Sequence, residues 1–209
     1  GYDRGEQPKL IRYVTDTGYP EFESLRRDAG RNAPAPQTLW LFDLVKHTQT
    51  KIDVGNLPGI HDEPLAAIRA ENEKAGLLKA PDVQRAKNGK SDKAEAKARD
   101  LQIAGIAFTR DGAHAAVQLR AIDNKDRWIA TLDPAHPQLA LQHRLHDAAW
   151  INWNFNEFGW ENDNRTLWYV SEESGFAHLY AKALDGKARQ LTHGDFETSR
   201  PLLSNDGRW

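Results

Sequence analysis

Two adjacent carboxylates, Glu172 and Glu173, sit in the stretch WYVSEESGFAHLYAKALDGKARQLTHGDFE (residues 168–197), between two strand-like runs. Such a pair can receive a cationic group, or it can close a hairpin in water and bond turn amides or a neighbouring arginine. The structural role outweighs the binding role, because a carboxylate at a hairpin tip satisfies its own turn. Arg26, Arg27 and Arg31 form a second charged group in a long loop. Their guanidinium forks could meet the carbonyl or carboxylate of a peptide, although loop arginines are ordinarily just solvated. His143 and His146, spaced i and i+3, would share a metal on a helix. After QLALQ the segment instead reads as extended, which sends the rings to opposite faces, and no further ligand follows at metal spacing. His178 and His193 read as sheet or turn residues. The chain has no G-x-S-x-G elbow, no glycine-rich phosphate loop, no H-E-x-x-H and no Cys. We therefore assign no catalytic residue, metal or cofactor to it.

The elements that must position these groups come from a chain of 209 residues, 39% hydrophobic and 9% aromatic, enough for one large all-β domain or two small ones. Twenty-eight basic against thirty acidic residues give a net charge of −2. With no basic stripe interleaved with aromatics, nucleic acid is not an expected partner. The longest apolar runs are only a few residues, so no membrane span is expected, and GYDRGEQPK lacks the hydrophobic core of a signal. There is no Met, even at position 1, and PLLSNDGRW stops where a new strand would begin. These features read as a piece of a longer protein.

Internal repetition is the strongest organising signal. FTRDG (108–112), WENDN (160–164) and LSNDG (203–207) align an apolar residue with a polar turn, placing Asp111, Asp163 and Asp206 52 and 43 residues apart. That period suits a propeller or solenoid unit. AHAAVQLRA, IDNKD and RWIATLD follow the first motif; RTLWYVSEE, Ser174-Gly175, FAHLYAKAL, Asp185-Gly186 and KARQLT follow the second. Both read as antiparallel hairpins in series, with Ser-Gly and Asp-Gly supplying positive φ in tight turns. In FAHLYAKAL, Ala177, Leu179, Ala181 and Ala183 share one face, whose small residues suit a closely stacked sheet, while His178, Tyr180 and Lys182 share the other.

The fold class expected is all-β: antiparallel four-stranded blades of a partial β-propeller. One domain spans 1–209, with blades at about 8–60, 101–150 and 151–200 and the start of another at 201–209. KLIRYVTDTG and TLWLFDLVKHTQTKIDV supply the first blade, separated by YPEFESLRRDAGRNAPAPQ, which reads as a projecting loop. Residues 61–100, rich in Ala, Glu and Lys, form a charged and largely helical insertion. Asp62 as cap and Pro64 in the first turn predict a helix over about 63–76, ended near Gly76. Beyond Pro81 the composition suits either helix or mobile linker.

SEESGFAHLY followed by LDGKARQLTHGDFE resembles the propeller of the prolyl oligopeptidase family, in particular its dipeptidyl peptidase IV branch. The likeness is close over 160–207, generic over 101–150 and weak before that. It implies a periplasmic or secreted serine peptidase whose propeller admits peptide substrate to a C-terminal α/β-hydrolase domain of the same parent chain. The catalytic Ser, Asp and His of that family lie in the hydrolase domain. The branch's glutamate pair for a peptide N-terminus normally precedes a segment like KLIRYV, and its motif is absent here. That absence leaves aminodipeptidase specificity open and makes Glu172 and Glu173 the candidates for a substitute pair. RQLT-type blades also occur in non-enzymatic Tol-system periplasmic propellers, the alternative reading. Exposed blade edges make homo-oligomers a further expectation.

Overall fold

The computed structural model describes residues 9–24, 37–77 and 97–208. The chain divides into two units, 1–37 and 38–209. In the first, β1 (Lys9–Arg12) pairs antiparallel with β2 (Glu21–Ser24). The sequence assigned β2 to the projecting loop. Phe22 in fact stands opposite Ile11, an aromatic–β-branched pair of the kind that holds two strands together, hidden among Pro and charged residues. Arg26, Arg27 and Arg31 lie outside the described residues.

The second unit begins with the hairpin of β3 (Trp40–Asp43) and β4 (Thr48–Lys51), a two-stranded rather than a four-stranded sheet. Its turn is held by Asp43 Oδ1, which accepts the Val45 and Lys46 amides at 2.9 Å each. Helix α1 (Ala66–Lys74) follows, shorter than expected. Leu65, which offers no side-chain cap, occupies its N-cap. Asp62 lies too far upstream to cap it and instead faces Arg144 Nη2 at 3.4 Å. Gly76, at φ +66°, ends the helix as expected. No residue of α1 is buried, in keeping with its thin apolar stripe. Residues 78–96, which hold most of the stretch beyond Pro81 read as helix or linker, lie outside the described residues.

Two four-stranded antiparallel sheets follow. The first runs β5 (Leu101–Phe108), β6 (Ala115–Ala121), β7 (Asp126–Asp133) and β8 (His136–His146) in chain order. The second joins β9 (Phe158–Trp160), β10 (Thr166–Ser171), β11 (His178–Ala183) and β12 (Arg189–Gln190) in the same way. These are the blades of a β-propeller, mostly β with little helix.

Strand alternation splits the core in two. On one face of the first sheet Val117, Leu119, Trp128, Ala130 and Leu132 pack with Ile52, Leu57 and Ile60. On the other, Ala116 and Ile129 meet Trp160, Leu167, Tyr169 and Tyr180 of the second sheet. The first sheet is therefore covered on both faces, and each large side chain buried this way contributes about 1.5–3 kcal/mol. Tyr180, rather than the alanine face of FAHLYAKAL, is what meets the neighbouring sheet. The Asp185–Gly186 turn also closes without the positive φ expected at Gly186, which is not among the described glycines with positive φ. Strands β5 and β9 approach closely enough that a Cβ on Gly105 would fall 2.9 Å from the Phe158 ring.

Candidate functional site

The seam between the two sheets is polar where β7, β8 and the tip of the β10–β11 hairpin converge. Strand alternation places Arg127 on the same face as Ile129, aimed at the second sheet. There Arg127 is fully buried. Its Nη1 donates to Asn156 Oδ1 at 2.5 Å and to the Val170 carbonyl at 2.9 Å. Nη2 lies 3.3 Å from His143 Nδ1. Burial draws the guanidinium pKa down to about 10, opposed by the carboxylates of Glu173 and Glu172, so it stays charged at neutral pH.

His143, on β8, passes the contact on: its Nε2 is 2.9 Å from Glu173 Oε2. Burial depresses the imidazole pKa, with Arg127 and Lys182 acting in the same direction and Glu173 against it. The Tyr169 ring packs on the imidazole with centroids 4.4 Å apart, and Tyr180 stacks on Tyr169 at 5.5 Å. Tyr180 Oη donates to Ser174 Oγ at 3.0 Å, returning the network to the hairpin tip. Burial pushes the Tyr169 phenol well above its ordinary range, so it adds no charge.

The tip itself turns at Glu172–Gly175, where the Gly175 amide donates to the Glu172 carbonyl at 2.9 Å and Gly175 takes φ +102°. Glu172 and Glu173 are thus adjacent in sequence but held differently. Glu173 reaches across to the first sheet. The Glu172 carboxyl is raised by burial and by Glu197, while the Asn152 amide bonded to it pulls the other way. Sequence reasoning foresaw a neighbouring arginine for this pair, and Arg127 is nearby, but the direct partner of Glu173 is His143.

A second cluster lies at the same end of β7, on the opposite face, around Asp126. Arg99 donates to Asp123 Oδ1 at 2.5 Å and to Asp126 Oδ2 at 2.6 Å. Asp126, with no exposed surface, also accepts from Arg144 Nε at 2.8 Å and lies 3.0 Å from His146 Nδ1. Burial disfavours its charge, but these donors outweigh burial and hold the carboxyl below its ordinary range. The Arg99 amide also bonds the Ile60 carbonyl at 2.8 Å, so the cluster ties together the two ends of the insertion expected over 61–100. Sequence reasoning missed Arg99, because its only local signal was an Asp-rich turn some twenty residues away.

Strand β8 runs extended through both histidines, sending His143 to the seam and His146 to Asp126. Among the described residues no cluster of three or more His, Asp or Glu could hold a metal ion. A cavity of about 230 Å³ is lined by Asp62, Glu63, Pro64, Lys125, His146 and Ala148, none of them a residue singled out for peptide binding. Lys125 there is buried and spends its ammonium on the Ala148 and Ala149 carbonyls. No described helix is long and apolar enough to cross a membrane.

Among solved structures, this chain is similar to a provisionally assigned dipeptidyl aminopeptidase IV from Bacteroides ovatus ATCC 8483. The TM-score is 0.53 at 10% identity, over 90% of this chain and 24% of that one. It is also similar to TolB from Acinetobacter baumannii, with a TM-score of 0.41 at 21% identity over 51% of this chain and 25% of that one. The chain therefore spans about a quarter of the length of either. No curated protein sequence matches it. Residues 79–208, which include both four-stranded sheets and the seam between them, match the family described as the dipeptidyl peptidase IV (DPP IV) N-terminal region. The chain belongs to that family.

Proposed function

We infer that this chain is the propeller portion of a dipeptidyl peptidase IV-like serine peptidase, periplasmic or secreted, which admits and orients peptides for an α/β-hydrolase domain of the same parent. The family match over 79–208 carries this reading. The SEESGFAHLY hairpin supports it over a non-enzymatic binding propeller, since RQLT-type blades alone do not separate the two. In this reading the catalytic Ser, Asp and His belong to the hydrolase domain, and the blades need no cofactor.

Glu172, Glu173, Arg26, Arg27 and Arg31 are the candidate peptide contacts. Glu173 is bound to His143 and serves first to position the tip. Glu172, whose carboxyl is bonded to the Asn152 amide rather than to a side chain of the first sheet, is the better candidate to meet a substrate cation. In the parent peptidase, Glu172→Gln then raises KM for peptides with a free N-terminus and leaves kcat unchanged. An unchanged KM would return Glu172 to a purely structural role. We further propose that Trp40 and Phe42, 44% and 59% exposed on the outer face of β3, let copies associate. Light scattering that finds a monomer at every concentration would refute this.

A further inference from the structure

Four arginines among the described residues are at least partly buried: Arg99, Arg120, Arg127 and Arg144. Three of them spend their donors on the protein, Arg99 on Asp123 and Asp126, Arg144 on Asp126 and Asp62, and Arg127 on Asn156 and the Val170 carbonyl. Arg120 does not. Its Nε is buried without an acceptor, and its terminal nitrogens make no hydrogen bond or ion pair among the described residues. Strand pairing explains the deficit. Arg120, on β6, stands opposite Gln102 of β5 and Arg127 of β7, so neither ladder neighbour offers a carboxylate and one repeats its charge. Like charges placed directly opposite each other destabilise a sheet. Burial draws the Arg120 pKa down, with no anion opposing it.

What the fold does supply is a wall. Arg120 Cζ lies 4.7 Å from the centroid of the Trp153 ring, a cation–π contact that orients the guanidinium without neutralising it. Trp153 is held in turn: its Nε1 donates to Asn124 Oδ1. Asn124 also fixes the start of that loop, its carbonyl accepting the Ile151 amide at 3.0 Å and its Nδ2 donating to the Ile151 carbonyl at 3.2 Å. One residue before Trp153, the Asn152 amide bonds the Glu172 carboxyl. An unpaired cation and the candidate contact for a peptide ammonium therefore flank residues 152–153.

A guanidinium held against an aromatic ring, with its terminal nitrogens uncommitted, matches the planar two-oxygen edge of a carboxylate. We propose that Arg120, backed by Trp153, binds a carboxylate of the peptide, a site that rests on reading these blades as a peptide-admitting propeller. Arg120 is then the counterpart of Glu172 for the opposite charge, and the arriving carboxylate relieves the repulsion between Arg120 and Arg127.

Calorimetric titration of the full chain with two pairs of N-acetylated tripeptides tests the site. One pair differs only in a free or amidated C-terminus, the other, amidated throughout, in a central Glu or Gln. At least one carboxylate peptide should bind about tenfold or more tightly than its neutral partner, and the pair that shows the preference identifies the source of the carboxylate. Arg120→Gln should abolish the preference, and Arg120→Lys, which keeps the charge but loses the fork, should restore it only in part. Equal affinities within both pairs, a preference that survives Arg120→Gln, or binding of inorganic phosphate with neither carboxylate peptide bound would overturn the proposal. Should the variants fail to fold, the indole N–H resonance of Trp153 in the wild type decides. It should shift with the bound carboxylate peptide and stay put with its neutral partner; a resonance unmoved by a bound carboxylate peptide places the site elsewhere and overturns it. Hydrolysis by the parent is read separately, so silence there contradicts the proposed function, while these titrations judge the site.

Discussion

Arg127 and Arg165 show how much the surroundings of one residue type decide. Arg127 is fully buried with three acceptors, whereas Arg165 and its partner Asp185 keep 66% and 78% of their side chains exposed. Removing a buried charge strands its partners and costs about 3 kcal/mol, while an exposed pair contributes under about 1 kcal/mol. Denaturant midpoints should therefore fall sharply for Arg127→Met and barely for Arg165→Ala; equal losses would mean that the seam is not a buried network. Asp126 gives a pH prediction of the same kind. Its folded pKa is depressed, so its stabilisation is present above the ordinary carboxylate value of 3.8 and lost as pH falls through the folded one. Urea midpoints measured from neutral pH downward should drop more steeply for the wild type than for Asp126→Asn, with the difference confined to the acid end. Parallel curves would rule Asp126 out as the titrating group.

At the scale of elements, the aspartates that revealed the repeat turn out to be turn-formers. Asp111, Asp163 and Asp206 each accept, through Oδ1, the amide two residues on, from Ala113, Arg165 and Arg208, at 3.0, 2.9 and 3.1 Å. Asp163 also takes the Thr166 amide at 2.8 Å. Asp163→Ala should cost about 1 kcal/mol by loosening the β9–β10 turn, and an unchanged thermal midpoint would deny it that role. Gly159→Ala should be worse, about 1–3 kcal/mol, because the new Cβ would fall 2.6 Å from the Trp168 indole. Strands and turns were legible in the sequence because they rest on local chemistry: period-two alternation along AHAAVQLRA, and a turn residue at each hairpin. The seam was not. His143 and Glu173 are 30 residues apart, and Arg127 and Val170 are 43 apart. Nothing near Arg127 in RWIATLD marks it as a buried cation rather than a surface one. Glu173 stood out in the sequence as one of two adjacent carboxylates, but its partner His143 could come only from the stacking of two sheets. The helix start was misread for the opposite reason: Asp62 is a good capping residue, but its place beside Arg144 removes it from that task.

For the whole molecule, sheets stacked face to face explain why a chain with no catalytic motif still buries arginine, histidine and aspartate. Polar side chains enclosed by a sheet covered on both faces need partners, and the network from Arg127 to Ser174 supplies most of them across two blades, leaving Arg127 Nε and Tyr169 Oη without one among the described residues. Under the proposed function, these blades shape access and the chemistry they serve lies elsewhere in the parent. The most direct test is hydrolysis of dipeptidyl and aminoacyl chromogenic substrates by the parent protein, with the 209-residue chain assayed beside it. The account predicts cleavage by the parent and none by the chain alone. Silence from the parent across the panel, or turnover by the isolated chain, would contradict it.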